Sequence, residues 1–298
     1  MPSWPNRLTK RALRPALPLV DLVTRSLRAD VEELRRELSE AKRQQYAYGL
    51  LLDSTGRGTH RMPTPGAVDT LVRQIEKVSG SSHARRSVVT AYRTVVAQEA
   101  LGVGRLAGST SNVCGKLATI PLLAPPNGDI LEIGTLYGQF ASALLRMMHR
   151  AGIEPELTVV DPLAGSQLQP GASPHADPTG TPVREDVVRA NLAFAGSPGP
   201  YRSRIEQGFS SDPEVRAAVS DRTYGVVVVD GDHTEDGVRQ DLEWVEEIVA
   251  PEGIVVLDDY GDNKWPGVQD ALDKHLAGGD SRLRMLGRVS TSAYLRAS

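Results

Sequence analysis

A chain of 298 residues with 40% apolar side chains is long enough to bury one large core and carry an appendage. Its net charge of −3 excludes general affinity for the phosphate backbone of nucleic acid. Its single cysteine, Cys114, excludes an internal disulfide or thiolate metal cluster, and it reads as a small buried hydrophobe suited to a reducing cytoplasm.

The N-terminus carries Arg7, Lys10, Arg11 and Arg14, but Pro15, Pro18 and Asp21 interrupt its apolar part. That argues against secretion, and no apolar run reaches the ~20 residues of a membrane span. From Leu17 to Tyr48 the pattern is helical, with Val20, Leu27, Val31, Leu34, Leu38 and Ala41 at alternating spacings of three and four. Thr24 fills the gap and charged residues flank the seam, so a coiled coil and a homo-oligomer are expected. The competing expectation is an amphipathic helix packed on its own domain. Residues 1–60 thus form a basic arm and helix. Residues 61–125 read as a helical cap, with stripes at Val68, Leu71, Val72, Ile75, Val78 and at Val88, Val89, Tyr92, Val95, Val96.

After the breaker Pro125-Pro126-Asn127-Gly128 the rhythm becomes strand, helix, strand, helix. Strands are expected near 129–133, 156–160, 203–207, 225–229 and 253–257. Helices are expected near 138–150, 184–194, 213–219, 235–249 and 266–276, with two closing strands near 283–289 and 291–297. That alternation predicts an α/β, doubly wound, seven-stranded Rossmann-like sheet over residues 126–298. The long segment 164–182, rich in Gly, Pro, Ser and Asp, is expected to be a lid or a disordered insertion.

The chemistry collects at strand ends. Val226-Val227-Val228-Val229 and Ile254-Val255-Val256-Leu257 are apolar enough to be buried on both faces, and each stops in carboxylates. If these strands are neighbours, Asp230, Asp232, Asp258 and Asp259 converge with His233 where open α/β sheets bind ligands. So many anions call for a divalent metal or a cationic ligand among them. In the first strand unit, Glu132-Ile133-Gly134-Thr135-Leu136-Tyr137-Gly138 is not the dinucleotide fingerprint, and its acid suits a cationic ligand better than a pyrophosphate. Asp161 ends the second strand, a position that commonly meets ribose hydroxyls.

These motifs together resemble class I S-adenosylmethionine-dependent methyltransferases. More narrowly, they are similar to metal-dependent O-methyltransferases acting on macrolide sugars, grouped with cephalosporin hydroxylase-like proteins. The resemblance covers roughly residues 110 to 298. It implies donor contacts from Glu132, Gly134, Gly138, Asp161 and Asp230, with Gly208-Phe209-Ser210 near the adenine. It implies magnesium or manganese on Asp230, Asp258 and Asp259, His233 as general base, and a sugar or glycoside hydroxyl as acceptor. One departure is Asp258-Asp259 where that branch can carry Glu-Asp. The alternatives are a catechol-type enzyme, which would need the histidine less, and a non-catalytic protein using the fold for assembly.

Overall fold

Strand β4 (Tyr224–Val229) lies at the centre of the structure because its side chains are apolar on both faces. In the computed structural model, which describes residues 17–52, 63–166, 168–169, 180–196 and 203–298, Val226 and Val228 face one core cluster. Val227 and Val229 face the other. The same alternation runs through β1 (Asp129–Ile133) and β5 (Val249–Leu257), as a pleated strand between two helical layers requires. With β2 (Glu156–Asp161), β3 (Arg204–Gln207), β6 (Leu283–Val289) and β7 (Ser292–Ala297) they form one seven-stranded sheet of order β3-β2-β1-β4-β5-β7-β6.

The first five strands pair in parallel, and the β6–β7 hairpin adds on through β7, antiparallel to β5. The expected seven-stranded doubly wound sheet is therefore present, with β7 alone running against the other six strands and inserted between β5 and β6. The reversal of order falls between β1 and β4, where the two crossovers leave on opposite faces and open a crevice beyond the strand ends. Ile133 pairs with Val229, and Val229 with Leu257, so the three carboxyl ends finish level.

Contacts divide the chain into two units, Met1–Leu50 and Leu51–Ser298. The first contains all but the last two residues of helix α1 (Leu17–Leu52). In the second, α2 (Pro65–Ser79), α3 (Ala84–Leu101) and α4 (Thr110–Thr119) share one core with the sheet: Ile75, Val88 and Leu117 belong to the same cluster as Ile130 and Val226. The helices expected over 61–125 as a helical cap leading into the core thus pack as one face of the sheet. Helices α5 (Gln139–Arg150) and α6 (Glu185–Leu192) complete that face. The opposite core is built with α7 (Pro213–Val219), α8 (Glu235–Ile248) and α9 (Pro266–Ala277). Cys114 is fully buried in α4, as a small hydrophobe would be. Most of the segment expected as a lid, residues 167 and 170–179, lies outside the described residues, as does the basic arm before Leu17. No described helix is long and apolar enough to cross a membrane.

Candidate active site

The level ends of β1, β4 and β5 open into one cleft of about 1750 Å³. Its two ends are built differently, one around the turn after β1 and the other around the acids after β4 and β5.

At the first end, Gly134 has φ +84, and a Cβ there would sit 2.1 Å from the carbonyl oxygen of Asp230. Only glycine lets the β1 turn pass the end of β4 so closely. Asp161 stabilises this turn. Its Oδ2 accepts from the backbone N–H of Thr135 (2.8 Å) and Leu136 (3.0 Å), and its Oδ1 from that of Leu163 (2.8 Å). The carboxylate expected to meet a ribose thus first braces the ligand-facing loop, both oxygens being engaged by the backbone. Glu132 is buried, and its Oε2 has no hydrogen-bond partner. Burial pushes its carboxyl up to about 8, against the pull of Thr135 and Lys116, with Asp161 adding to the rise. An orphaned buried carboxyl lining a cleft is the donor set expected for a ligand with an ammonium or hydroxyl groups to offer. Gly208, Phe209 and Ser210 line the same end, Phe209 being 53% exposed. Asp241 lies beside them, with its carboxyl raised by burial to about 6. Gly138 is not part of the lining. It caps α5 at φ +73, and a Cβ there would meet Val188 at 2.8 Å, so it serves helix packing.

At the second end the acids converge, and they divide into two groups. Asp258 is 7% exposed and enclosed by protein. Its Oδ1 accepts from Asn112 Nδ2 (2.8 Å) and Ser292 Oγ (2.7 Å), and its Oδ2 from the Lys116 ammonium. Lys116 is itself only 3% exposed, stands 3.5 Å from Asp230 Oδ2, and lies 4.7 Å from the Phe140 ring centre. Burial alone would raise Asp258, but Lys116 and the donors around it hold it well below the ordinary carboxylate range. Burial and Asp258 raise Asp230 well above that range, against the pull of Lys116. Burial alone would lower Lys116, yet Asp258 and Asp230 raise it above the ordinary lysine value. The ammonium stays charged.

The second group is Asp230, His233 and Asp259. His233 Nε2 lies 2.9 Å from Asp259 Oδ2 and 3.7 Å from Asp230 Oδ1. One ligand atom from each of the three residues lies within 4.8 Å of the others. The imidazole is held against Trp265, ring centres 4.7 Å apart, and its buried Nδ1 has no hydrogen-bond partner. Thr234 starts α8 just beyond, its hydroxyl accepting from the Gly237 N–H at 3.1 Å, and Asp232 accepts from the Thr234 N–H at 2.7 Å. Asp232 is therefore an exposed turn acid.

Of the residues anticipated at the site, all but Gly138 line this cleft. The expected metal set of Asp230, Asp258 and Asp259 is not the set that converges, because Lys116, Asn112 and Ser292 already surround Asp258. Sequence reasoning missed Lys116 and Asn112. Their signal was a lysine and an asparagine inside the otherwise small and apolar Val113-Cys114-Gly115 and Leu117-Ala118 stretch.

The sheet order and this crevice have the form of a Rossmann-like methyltransferase fold. Residues 131–260 match a family model described as a methyltransferase domain. No curated protein matches the chain. Among solved structures, the chain is similar to an apo TDP-rhamnose 3'-O-methyltransferase of calicheamicin biosynthesis, CalS11, with 20% identity over 79% of this chain and 96% of that one (TM-score 0.44). It is similar to the O-methyltransferase NovP with 20% identity over 78% and 99% (TM-score 0.48). It is also similar to TomG from Streptomyces achromogenes, an O-methyltransferase of tomaymycin synthesis, with 16% identity over 75% and 90% (TM-score 0.43).

Proposed function

We propose that the chain transfers a methyl group from S-adenosylmethionine to a hydroxyl of a sugar or glycosylated small molecule, in the cytoplasm. The observation that carries this reading is the placement of Asp230, His233 and Asp259 on the same cleft as Glu132 and Gly134. A donor pocket and a proton-handling group then face one space, as an in-line displacement needs.

In this reaction the hydroxyl oxygen bonds to the methyl carbon, the carbon–sulfur bond breaks, and its electron pair stays on sulfur as a neutral thioether. The hydroxyl proton goes to the pair formed by His233 and Asp259, whose Nε2 and Oδ2 lie 2.9 Å apart, and Trp265 keeps the ring in place. At the donor end Glu132 receives the ligand's polar groups, and Asp161 keeps the Gly134 turn in its binding shape without contributing a free oxygen.

The residues present fit a divalent cation, magnesium or manganese, at Asp230 and Asp259. With Asp230 ionised, three carboxylates and one ammonium leave the acidic end with a net charge of −2, which a divalent ion would balance. When bound, the ion lowers the pKa of a hydroxyl it touches. Asp258 stands outside that set, bound to Lys116. His233 Nε2 faces both carboxylates, so it can serve as a ligand or as a base, but not both at once; we assign it as the base.

Calorimetric titration of magnesium or manganese into protein loaded with S-adenosylhomocysteine tests the assignment. His233→Ala should leave cation affinity within about threefold while abolishing transfer to a glycoside hydroxyl. Asp259→Asn should lose cation binding and Asp258→Asn should keep it. Loss of cation binding in His233→Ala would make the histidine a ligand and remove it as the base. Failure of the protein to bind S-adenosylhomocysteine would overturn the reading itself.

A further inference from the structure

Helix α1 carries an apolar stripe that its own unit leaves in solvent: Leu27 is 58% exposed, Val31 45%, Leu34 62% and Leu38 55%. In a heptad written abcdefg, Val31 and Leu38 fall at a, and Leu27 and Leu34 at d. Thr24 extends the a positions and Ala41 the d positions. Four large aliphatic groups more than two-fifths exposed along one line require a partner surface. The 36-residue helix is about 54 Å long, ample for three heptads of pairing.

The flanking charges say which partner. Asp30 and Glu37 occupy the g positions, and Arg28, Arg35 and Lys42 the e positions. In a parallel pair each g residue faces the e residue five positions further along the other chain. Asp30 then meets Arg35, and Glu37 meets Lys42, and twofold symmetry repeats both contacts. In an antiparallel pair g faces g and e faces e, so acids meet acids and bases meet bases. The acid-at-g, base-at-e pattern is therefore self-complementary in one orientation only. Within one helix Arg35 pairs with Glu32 at 2.9 Å, but both side chains are about two-thirds exposed or more, and so weak a surface pair yields readily to an interhelical one. β-Branched Thr24 and Val31 at a, with Leu27 and Leu34 at d, favour two strands over three or four.

We propose that α1 is the docking surface for a second copy of this chain, joined in a parallel two-stranded coiled coil with Thr24, Val31 and Leu38 stacked on their own counterparts. This inference rests on the helix's own pattern and exposure, and stands apart from the chemistry proposed for the cleft.

Sedimentation velocity on the full chain at micromolar concentration should give a mass about twice 32.1 kDa. The charge-reversal variant Arg35→Glu/Lys42→Glu places acids on both flanks and should raise the dimer dissociation constant at least about tenfold. Mixing it with Asp30→Lys/Glu37→Lys, which is basic on both flanks, should restore a dimer that contains one of each. Because Asp30, Arg35 and Glu37 are exposed and all four positions lie on α1, outside the sheet domain's sequence, the catalytic unit should melt at the same temperature in every variant, which separates lost pairing from lost folding. Thr24→Cys, near one end of the stripe, should cross-link its own counterpart under mild oxidation, which an antiparallel pair would hold apart. A monomeric wild-type chain, a trimer or tetramer, a dimer indifferent to charge reversal, or Thr24→Cys chains that do not cross-link would each overturn the proposal.

Discussion

Replacing Lys116 with methionine keeps the length of the side chain and removes its charge. The ammonium lies 3.5 Å from Asp230 Oδ2 and closer still to Asp258 Oδ2. At an effective dielectric of about 20, charges 3.5 Å apart attract by roughly 5 kcal/mol. Part of this is offset because methionine needs no desolvation, so Lys116→Met should cost about 3–5 kcal/mol at neutral pH, the usual cost of leaving a buried charge unpaired. For a domain of this size that is a fall in melting temperature of roughly 10 °C. The sign of the pH dependence follows from Asp258. In the wild type its pKa is depressed, so its contribution to stability is present above the ordinary carboxylate value and is lost as pH falls through the lower folded value. In the variant the depression is gone and burial dominates, so Asp258 destabilises at neutral pH and is relieved by protonation. Melting curves by circular dichroism from pH 8 to pH 4 should therefore show the wild-type and variant temperatures converging as pH falls. Adding Asp258→Asn to Lys116→Met should recover more than half of the loss. An unchanged melting temperature at pH 7, or a gap equally wide at pH 8 and pH 4, would refute the claim that Lys116 holds a buried anion.

Glu132→Gln should stabilise the unliganded protein at pH 8 by a few kcal/mol at most and leave it unchanged near pH 4, because a carboxyl raised to about 8 destabilises progressively from the ordinary value upward; calorimetry of S-adenosylhomocysteine should show weaker binding in the same variant. Gly134→Ala places a Cβ 2.1 Å from the Asp230 carbonyl at φ +84, and should lower stability by at least about 2 kcal/mol and abolish donor binding, read from thermal melts and titration. Phe209→Ala removes a ring that is 53% exposed, so the melting temperature should stay within about 1 °C while donor affinity falls about tenfold. A fall in stability without a change in donor affinity would make Phe209 a packing residue.

The sheet was legible because the runs ending at Val229 and Leu257 are apolar on both faces, which marks central parallel strands and places their terminal acids at the crevice. The reversal of β7 and its insertion between β5 and β6 were not legible, since period-two patterning is the same in either direction. The physical need for positive charge among Asp230, Asp258 and Asp259 could be read from sequence alone, but its source could not. Lys116 comes from a helix before the sheet, and nothing local ties it to acids more than a hundred residues later. The same blindness affected Asp258: the spacing places it at the site but cannot show that Asn112 and Ser292 already surround it.

Those long-range ties carry a consequence for how the chain folds. Asn112 reaches across 146 residues to Asp258 and 180 to Ser292, and Lys116 reaches across 142, while the turn around Gly134 is stabilised by Asp161 only a few tens of residues away. Closing the larger loops has the greater entropic cost before any contact forms. The donor half should therefore order early in folding, and the acidic half should set last, when β7 docks beside β5 and delivers Ser292. A chain interrupted before that strand would present a ready cradle for a sulfonium cofactor beside a cluster of unrestrained carboxylates, and so would be able to bind a methyl donor before it could use one.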